Sequence, residues 1–325
     1  MGGHALKHVN CIRINKVEYE NIKNHILSTI ESLKLIKLSV LIEAPEKENF
    51  GDLDILYLSN QHINMCDLIK SAFNPKEVVT NGDVTSFSYQ ISESEYFQID
   101  MIKTSNIEMS QFYGGYGDCG NIIGRFTKRA DLTFGNEGLW TSYESKRIIL
   151  STNPQEICEY LGLNYNLWSA GFKTRTELFN WIIESRYFDL NLFRLDTLNA
   201  VYRHRYDTRP IFKEFVDYLA TISLQIHKIS EISEDKLEHI NYFNKKDEKD
   251  KIDEEIKITK LHQERFSGKI FLKYISCKDI NNYKRNFQTY IENELKEDFN
   301  NWLLNNNTEF IEDSIKEFIG LESNH

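Results

Sequence analysis

The sequence predicts an α+β chain: a mixed β-sheet with flanking helices over residues 1–150, then a mostly α-helical region over 151–325. Three observations lead there. Short runs with apolar residues around a period of two, Asp52 to Leu58 and Tyr96 to Ile102 being the clearest, read as strands. Helically spaced runs alternate with them in the first half. Beyond about Asn153 the spacing turns helical, so that half packs as helices while the first half builds a sheet. At 325 residues the chain is long enough for two domains or one elaborate one.

Taken in order, Val17 to Lys34 places Ile22, Ile26, Ile30 and Leu33 on one face and predicts a helix. Leu38 to Glu43 and Asp52 to Leu58 predict strands. Met65 to Phe73 predicts a short helix that stops before Pro75, since the residue ahead of a proline avoids helical geometry. Thr85 to Ile91 and Tyr96 to Ile102 predict a β-hairpin. Gly135 to Trp140 reads as a turn into another strand, with Trp140 in the core. Thr152-Asn-Pro-Gln-Glu156 opens a helix, with a capping residue, a proline in the first turn and an early acid. Thr174 to Phe188 and Ile211 to His227 predict two more. Lys245 to Lys260 is charge-rich and predicts an exposed helix or a connector, and amphipathic helices return after Arg265.

Asp52 and Asp54 are the most informative residues. Side chains two apart on a strand share a face, so both acids project together while Leu53 and Ile55 enter the core. Two carboxylates that close repel unless a cation lies between them, and Mg²⁺, which takes oxygen ligands, satisfies that demand. Asp100 is the sole charge in Tyr96 to Ile102 and points away from Ile99 and Met101. If its strand lies beside the first, three carboxylates converge, as two-metal phosphoryl chemistry requires. The plainer alternative is a turn cap at Asp52 and Asp54 with a solvated Asp100.

Two further segments carry candidate binding residues. Phe112 to Arg129 is glycine-rich and runs into a helix with Asn121, Arg125, Lys128 and Arg129 on neighbouring turns. It could cradle a nucleotide's base, ribose or γ-phosphate, or simply be a tight loop with solvated basic residues. Arg203, Arg205 and Arg209 lie close together between Asn199 and Pro210 and could contact phosphates, or pair with the chain's many acids.

Gly51-Asp-Leu-Asp-Ile55, the later Ile99-Asp-Met101 and the upstream Gly2-Gly3 resemble the polymerase-β-like nucleotidyltransferase superfamily. That group includes poly(A) polymerases, CCA-adding tRNA nucleotidyltransferases, repair polymerases and enzymes that nucleotidylate proteins or antibiotics. The resemblance implies a nucleotidyltransferase-like sheet, with Asp52, Asp54 and Asp100 as catalytic ligands of two Mg²⁺ ions, Mn²⁺ being the alternative. It further implies a nucleoside triphosphate (NTP) substrate and a phosphate turn at Gly2 and Gly3. The glycine pair departs from the family pattern by standing far ahead of the acids, so an inserted segment containing the 17–34 helix has to fill the gap. Phe266-Ser-Gly-Lys269, the helix with Tyr283-Lys-Arg285 and the Trp302 helix resemble the C-terminal region of CCA-adding enzymes and bacterial poly(A) polymerases, which implies acceptor-RNA binding by 151–325.

Composition narrows the classes. No apolar stretch reaches the roughly 18 residues of a membrane span, and no apolar leader with a cleavage site is seen, so no membrane partner is expected. Five scattered cysteines without Cys-x-x-Cys spacing read as reduced thiols of a cytoplasmic or nuclear protein, not as a disulfide frame or zinc site. A net charge of −10 argues against coating nucleic acid by bulk electrostatics, though a local basic groove is compatible with it. The expected function is Mg²⁺-dependent transfer of NMP from NTP to a hydroxyl, an RNA or tRNA 3′ end for example. The alternatives are a protein or small-molecule acceptor, and a catalytically silent nucleotide-binding or scaffold subunit.

Overall fold

A computed structural model describes residues 5–31, 37–58, 63–222, 235–275 and 280–322. The first half alternates strand and helix as expected: β1 (Ile14–Asn15), α1 (Lys16–Glu31), β2 (Lys37–Val40), β3 (Asn49–Phe50), β4 (Asp52–Leu58), α2 (Met65–Phe73), β5 (Val78–Asn81), β6 (Val84–Gln90) and β7 (Tyr96–Lys103). Five of these strands form a mixed sheet in the order β2-β4-β7-β6-β5. The pair β4–β7 is parallel and the other pairings are antiparallel, with β6 and β7 making the expected hairpin. Asn15 caps α1 and Asn64 caps α2, each accepting backbone N–H groups of the first turn.

One face of the sheet is covered by α1 and α2. Leu53, Ile55, Phe97, Ile99 and Met101 are fully buried there with Ile26, Ile30 and Ile69. Burying side chains of this size stabilises by roughly 1.5–3 kcal/mol each, enough for the opposite face to carry charge that repels itself.

After β7 come α3 (Ile107–Gly114), α4 (Cys119–Thr127) and a three-stranded antiparallel sheet of β8 (Leu132–Gly135), β9 (Gly138–Tyr143) and β10 (Lys146–Ser151). Trp140 is half-buried on β9 under the Arg147 guanidinium, 4.6 Å from its ring. The helices α5 (Pro154–Leu161), α6 (Tyr165–Ala170), α7 (Arg175–Ile183), α8 (Ala200–Thr208), α9 (Pro210–Ile222) and α10 (Lys236–Tyr242) follow. Asn153 caps α5 ahead of Pro154, and Thr174 with Glu177 forms a capping box on α7.

The chain divides at Phe243, not at the expected 150. Hydrogen bonds explain why the middle helices belong with the sheets. Tyr116 Oη donates to Trp168 O, Asn106 Nδ2 to Thr152 O, and Arg175 Nε to Pro45 O. His239 of α10 is fully buried, with its ring bonded to Tyr160 Oη and Ala130 O.

The second unit, 244–325, has helices as its regular structure among the described residues: α11 (Lys246–Arg265), α12 (Gly268–Phe271), α13 (Ile280–Glu294), α14 (Phe299–Asn305) and α15 (Thr308–Glu322). Its core is aromatic, built on Phe266, Phe271, Phe287, Phe299, Trp302 and Phe318. The charge-rich α11 buries only Ile252 and presents the solvated face its composition requires. Among the described residues, no helix is long and apolar enough to cross a membrane.

Candidate active site

Strand register brings the three acids together. Asp54 is level with Asp100 across the parallel β4–β7 pair, and Asp52 is level with Gln98. All three side chains leave the face opposite the apolar core, and one carboxylate oxygen from each lies within 4.8 Å of the others. Asp52 and Asp54 are half-buried, and Asp100 is 9% exposed.

Electrostatics set the three acids apart. Burial, first, and then the charges of Asp52, Asp100 and Glu43 hold the Asp54 carboxyl well above the usual range, while Lys47 pulls the other way. Asp100 is raised mainly by burial, and hydrogen bonds from Ser86 and Gln98 oppose this. Gln98 Nε2 donates to both Asp100 oxygens, at 3.0 and 2.9 Å, and fixes that carboxylate's plane. Gln98 Oε1 is itself held by the backbone N–H of Ala5. Three hard oxygen donors with too little internal counter-charge fit a divalent cation of the Mg²⁺ type.

Asp52 and Asp54 open onto a cavity of about 920 Å³. Its other walls come from the 41–49 segment, from Gly114, Gly117, Asp118 and Asn121, and from Arg175, Arg205 and Arg209. The glycine-rich stretch has a backbone purpose here. A Cβ at Gly114 would meet Leu41 at 3.0 Å, one at Gly117 would meet Ile211 at 3.1 Å, and Tyr116 N donates to Ile42 O. Gln111 completes the clamp, donating to Ser39 Oγ and Val40 O and accepting from Ile42 N. The segment therefore docks residues 41–44, which carry Glu43 towards the acids.

The three arginines have different fates. Arg175 is architectural: it donates to Pro45 O and Glu46 O and forks onto both oxygens of Glu214, at 2.6 and 2.5 Å. Arg205 is held by Asp118 at 2.5 Å, and the same carboxylate oxygen accepts from Asn121 Nδ2 at 3.3 Å. Asp118 is only 7% exposed and stands just ahead of α4 without capping it. Arg209 has no side-chain partner among the described residues and faces the cavity exposed. Arg13 also lines the cavity and donates to the backbone carbonyl of Asn49, so two guanidinium groups there have no carboxylate partner among the described residues.

Of the residues singled out in the sequence, Asp52, Asp54, Asp100 and Asn121 come together, with Arg205 and Arg209. Arg125 does not line the cavity: its guanidinium donates to Leu192 O and stacks 3.5 Å from the Tyr202 ring. Lys128 also lies outside the lining and reaches Thr133 Oγ1 at 3.4 Å. Gly2 and Gly3 lie outside the described residues. Arg203 donates to Leu198 O. Glu43, Asp118 and Arg175 were not foreseen, because each enters the site through contacts between distant segments that no local spacing encodes.

The site depends on close packing of α4 against α3. A Cβ on Gly120 would lie 2.0 Å from Tyr113 O, so Gly120→Ala must displace the helix that carries Asn121. The urea midpoint of this variant is expected to fall by an amount equivalent to at least about 2 kcal/mol. An unchanged midpoint would mean that the helix relaxes freely.

No protein-family model and no curated protein sequence matches the chain.

Proposed function

We propose that the 1–243 unit is a Mg²⁺-dependent nucleotidyltransferase of the polymerase-β-like kind, which moves NMP from NTP to a hydroxyl acceptor. The observation that carries this reading is the clustered triad of Asp52, Asp54 and Asp100 beside a large cavity also lined by Arg209, which has no side-chain partner among the described residues. A lone acidic cluster is common on protein surfaces. One that repels itself, stands on a parallel strand pair and borders a cavity also lined by an arginine without a side-chain partner among the described residues suits a metal-bound polyphosphate.

Asp52, Asp54 and Asp100 would hold the ions. Bound Mg²⁺ would acidify the acceptor hydroxyl and offset the triphosphate's charge. Arg209 would bind the phosphates, and Arg205, oriented by Asp118, would stand beside it. Gln98 keeps Asp100 in the plane from which its carboxylate can accept the hydroxyl's proton. The oxygen thus freed attacks the α-phosphorus, the bond to the bridging oxygen breaks, and pyrophosphate leaves with the electron pair.

Arg209→Ala is expected to weaken NTP binding by roughly 10- to 100-fold, with a much smaller change in the maximal rate, because it removes a charge-assisted contact to phosphate. Equal NTP affinity of variant and native protein, measured by calorimetry, would remove Arg209 from the site. The function itself is tested with Mg²⁺, each α-³²P-labelled NTP and a total RNA pool, with Asp52→Ala as control. Label entering RNA supports transfer to an RNA end, and label on protein or a small product moves the acceptor. NTP binding without any incorporation favours the silent-subunit alternative.

A further inference from the structure

A second cleft, of about 480 Å³, adjoins the segment that carries Glu43. Lys16, Tyr19, Glu20 and Lys23, one face of α1, form one wall, and Phe172 and Lys173 contribute to the rest. The two cavities share a wall, the segment from Leu41 to Lys47, while Asp52 and Asp54 line the larger one alone. Glu43 and Lys47 line both, and the Glu43 charge acts directly on Asp54. Tyr19 Oη donates to Glu43 Oε1 at 3.0 Å, and Lys47 pairs with the other oxygen of the same carboxylate.

The charges inside this cleft are unequally matched. Lys23 pairs with Glu20 and Lys47 with Glu43. Glu46 accepts the backbone N–H of Arg175. Lys16 and Lys173 are exposed and have no side-chain partner among the described residues. The remaining lining is apolar and aromatic, including Phe50, Phe172, Pro45 and Val40. Two free ammonium groups around an aromatic wall select a ligand with a phosphate and a flat or apolar body. The volume is about half that of the cavity assigned to the triphosphate, which suits a single nucleotide-sized unit.

We propose that this second cleft is the acceptor site, and that the acceptor is a phosphate-bearing alcohol of nucleotide size, whether a free mononucleotide or the terminal unit of an RNA. This rests on the nucleotidyltransferase reading of the adjoining cavity. Lys16 and Lys173 bind the acceptor's phosphate, Phe172 packs against its body, and its hydroxyl points past Glu43 towards the carboxylates. In the transfer that follows, the acceptor oxygen bonds to the α-phosphorus, pyrophosphate departs with the bridging oxygen's electron pair, and the hydroxyl proton goes to the carboxylate cluster.

The test compares two binding measurements on the full chain in Mg²⁺. Calorimetry follows a non-hydrolysable NTP, and fluorescence anisotropy follows a fluorescein-labelled hexanucleotide RNA added to the NTP-saturated protein, with AMP as competitor. The Lys16→Ala/Lys173→Ala pair is expected to weaken RNA binding roughly tenfold and to leave NTP affinity within about twofold. Arg209→Ala is expected to show the reverse pattern, and Lys70→Ala/Lys103→Ala, which removes two lysines outside both clefts, to show neither. Displacement by AMP identifies a mononucleotide as sufficient, whereas resistance to AMP identifies the RNA terminus. RNA affinity unchanged by the Lys16/Lys173 pair, alongside normal NTP binding, overturns the acceptor cleft alone, as does transfer of label only to protein side chains. Absence of Mg²⁺-dependent NTP binding in the native chain overturns the nucleotidyltransferase reading and this assignment with it.

Discussion

Asp54→Asn protein is expected to lose NMP transfer by at least about 10³-fold while remaining folded and becoming no less stable. The two halves of that outcome have one cause. Asp54 has burial and the charges of Asp52, Asp100 and Glu43 against it, with only Lys47 in its favour. The amide has the same shape and no charge, so the metal-free fold should gain stability on the order of 1 kcal/mol. The same amide is a poor ligand for a hard divalent ion and cannot share a metal with Asp52 and Asp100. Transfer rates and urea midpoints measured on one preparation check both halves. Loss of activity through misfolding would instead lower the midpoint, and retained activity would remove Asp54 from the mechanism.

The second large effect is on the stability of the metal-free protein as a function of pH. A carboxyl whose folded pKa lies above its unfolded one binds more protons in the folded state. Stability therefore falls as pH rises from the unfolded value, near 3.8, through the folded value. Asp54 and Asp100 are both raised, so their joint contribution is least favourable at neutral pH, where both are driven to ionise. Mg²⁺ should relieve this. At saturating ion the melting temperature is expected to rise by about 5 °C or more at neutral pH, and the increment should shrink as the carboxyls protonate in acid. Chelation should reverse it. Asp52→Ala and Asp54→Asn should abolish the increment, and a Mg²⁺ effect that survives in either variant would place the ion elsewhere.

The parts of this architecture that follow local rules were legible in the sequence. Apolar spacing marked β4, the β6–β7 hairpin, α2 and the core face of α1, and the asparagine ahead of α5 with the proline at its first position fixed its start. The acid triad was legible because a period of two assigns faces without a structure, and the parallel β4–β7 register then joined the two strands. What could not be read were pairings across long separations. Asp118 meets Arg205, and Arg175 meets Pro45, Glu46 and Glu214, through tertiary contacts. Arg125 had the right charge beside the right loop, yet its neighbours Leu192 and Tyr202 are brought to it only by folding. The domain boundary was misplaced for a similar reason: helical periodicity begins near 153, but hydrogen bonds tie those helices to the sheets up to Phe243.

The most direct test is calorimetric titration of a non-hydrolysable NTP into the native chain, with and without Mg²⁺, and into Asp54→Asn. The account predicts binding that requires Mg²⁺ and is lost in the variant. Binding that ignores the metal, or that persists undiminished in Asp54→Asn, would contradict the assignment of Asp52, Asp54 and Asp100 as the centre that holds a metal-bound nucleotide.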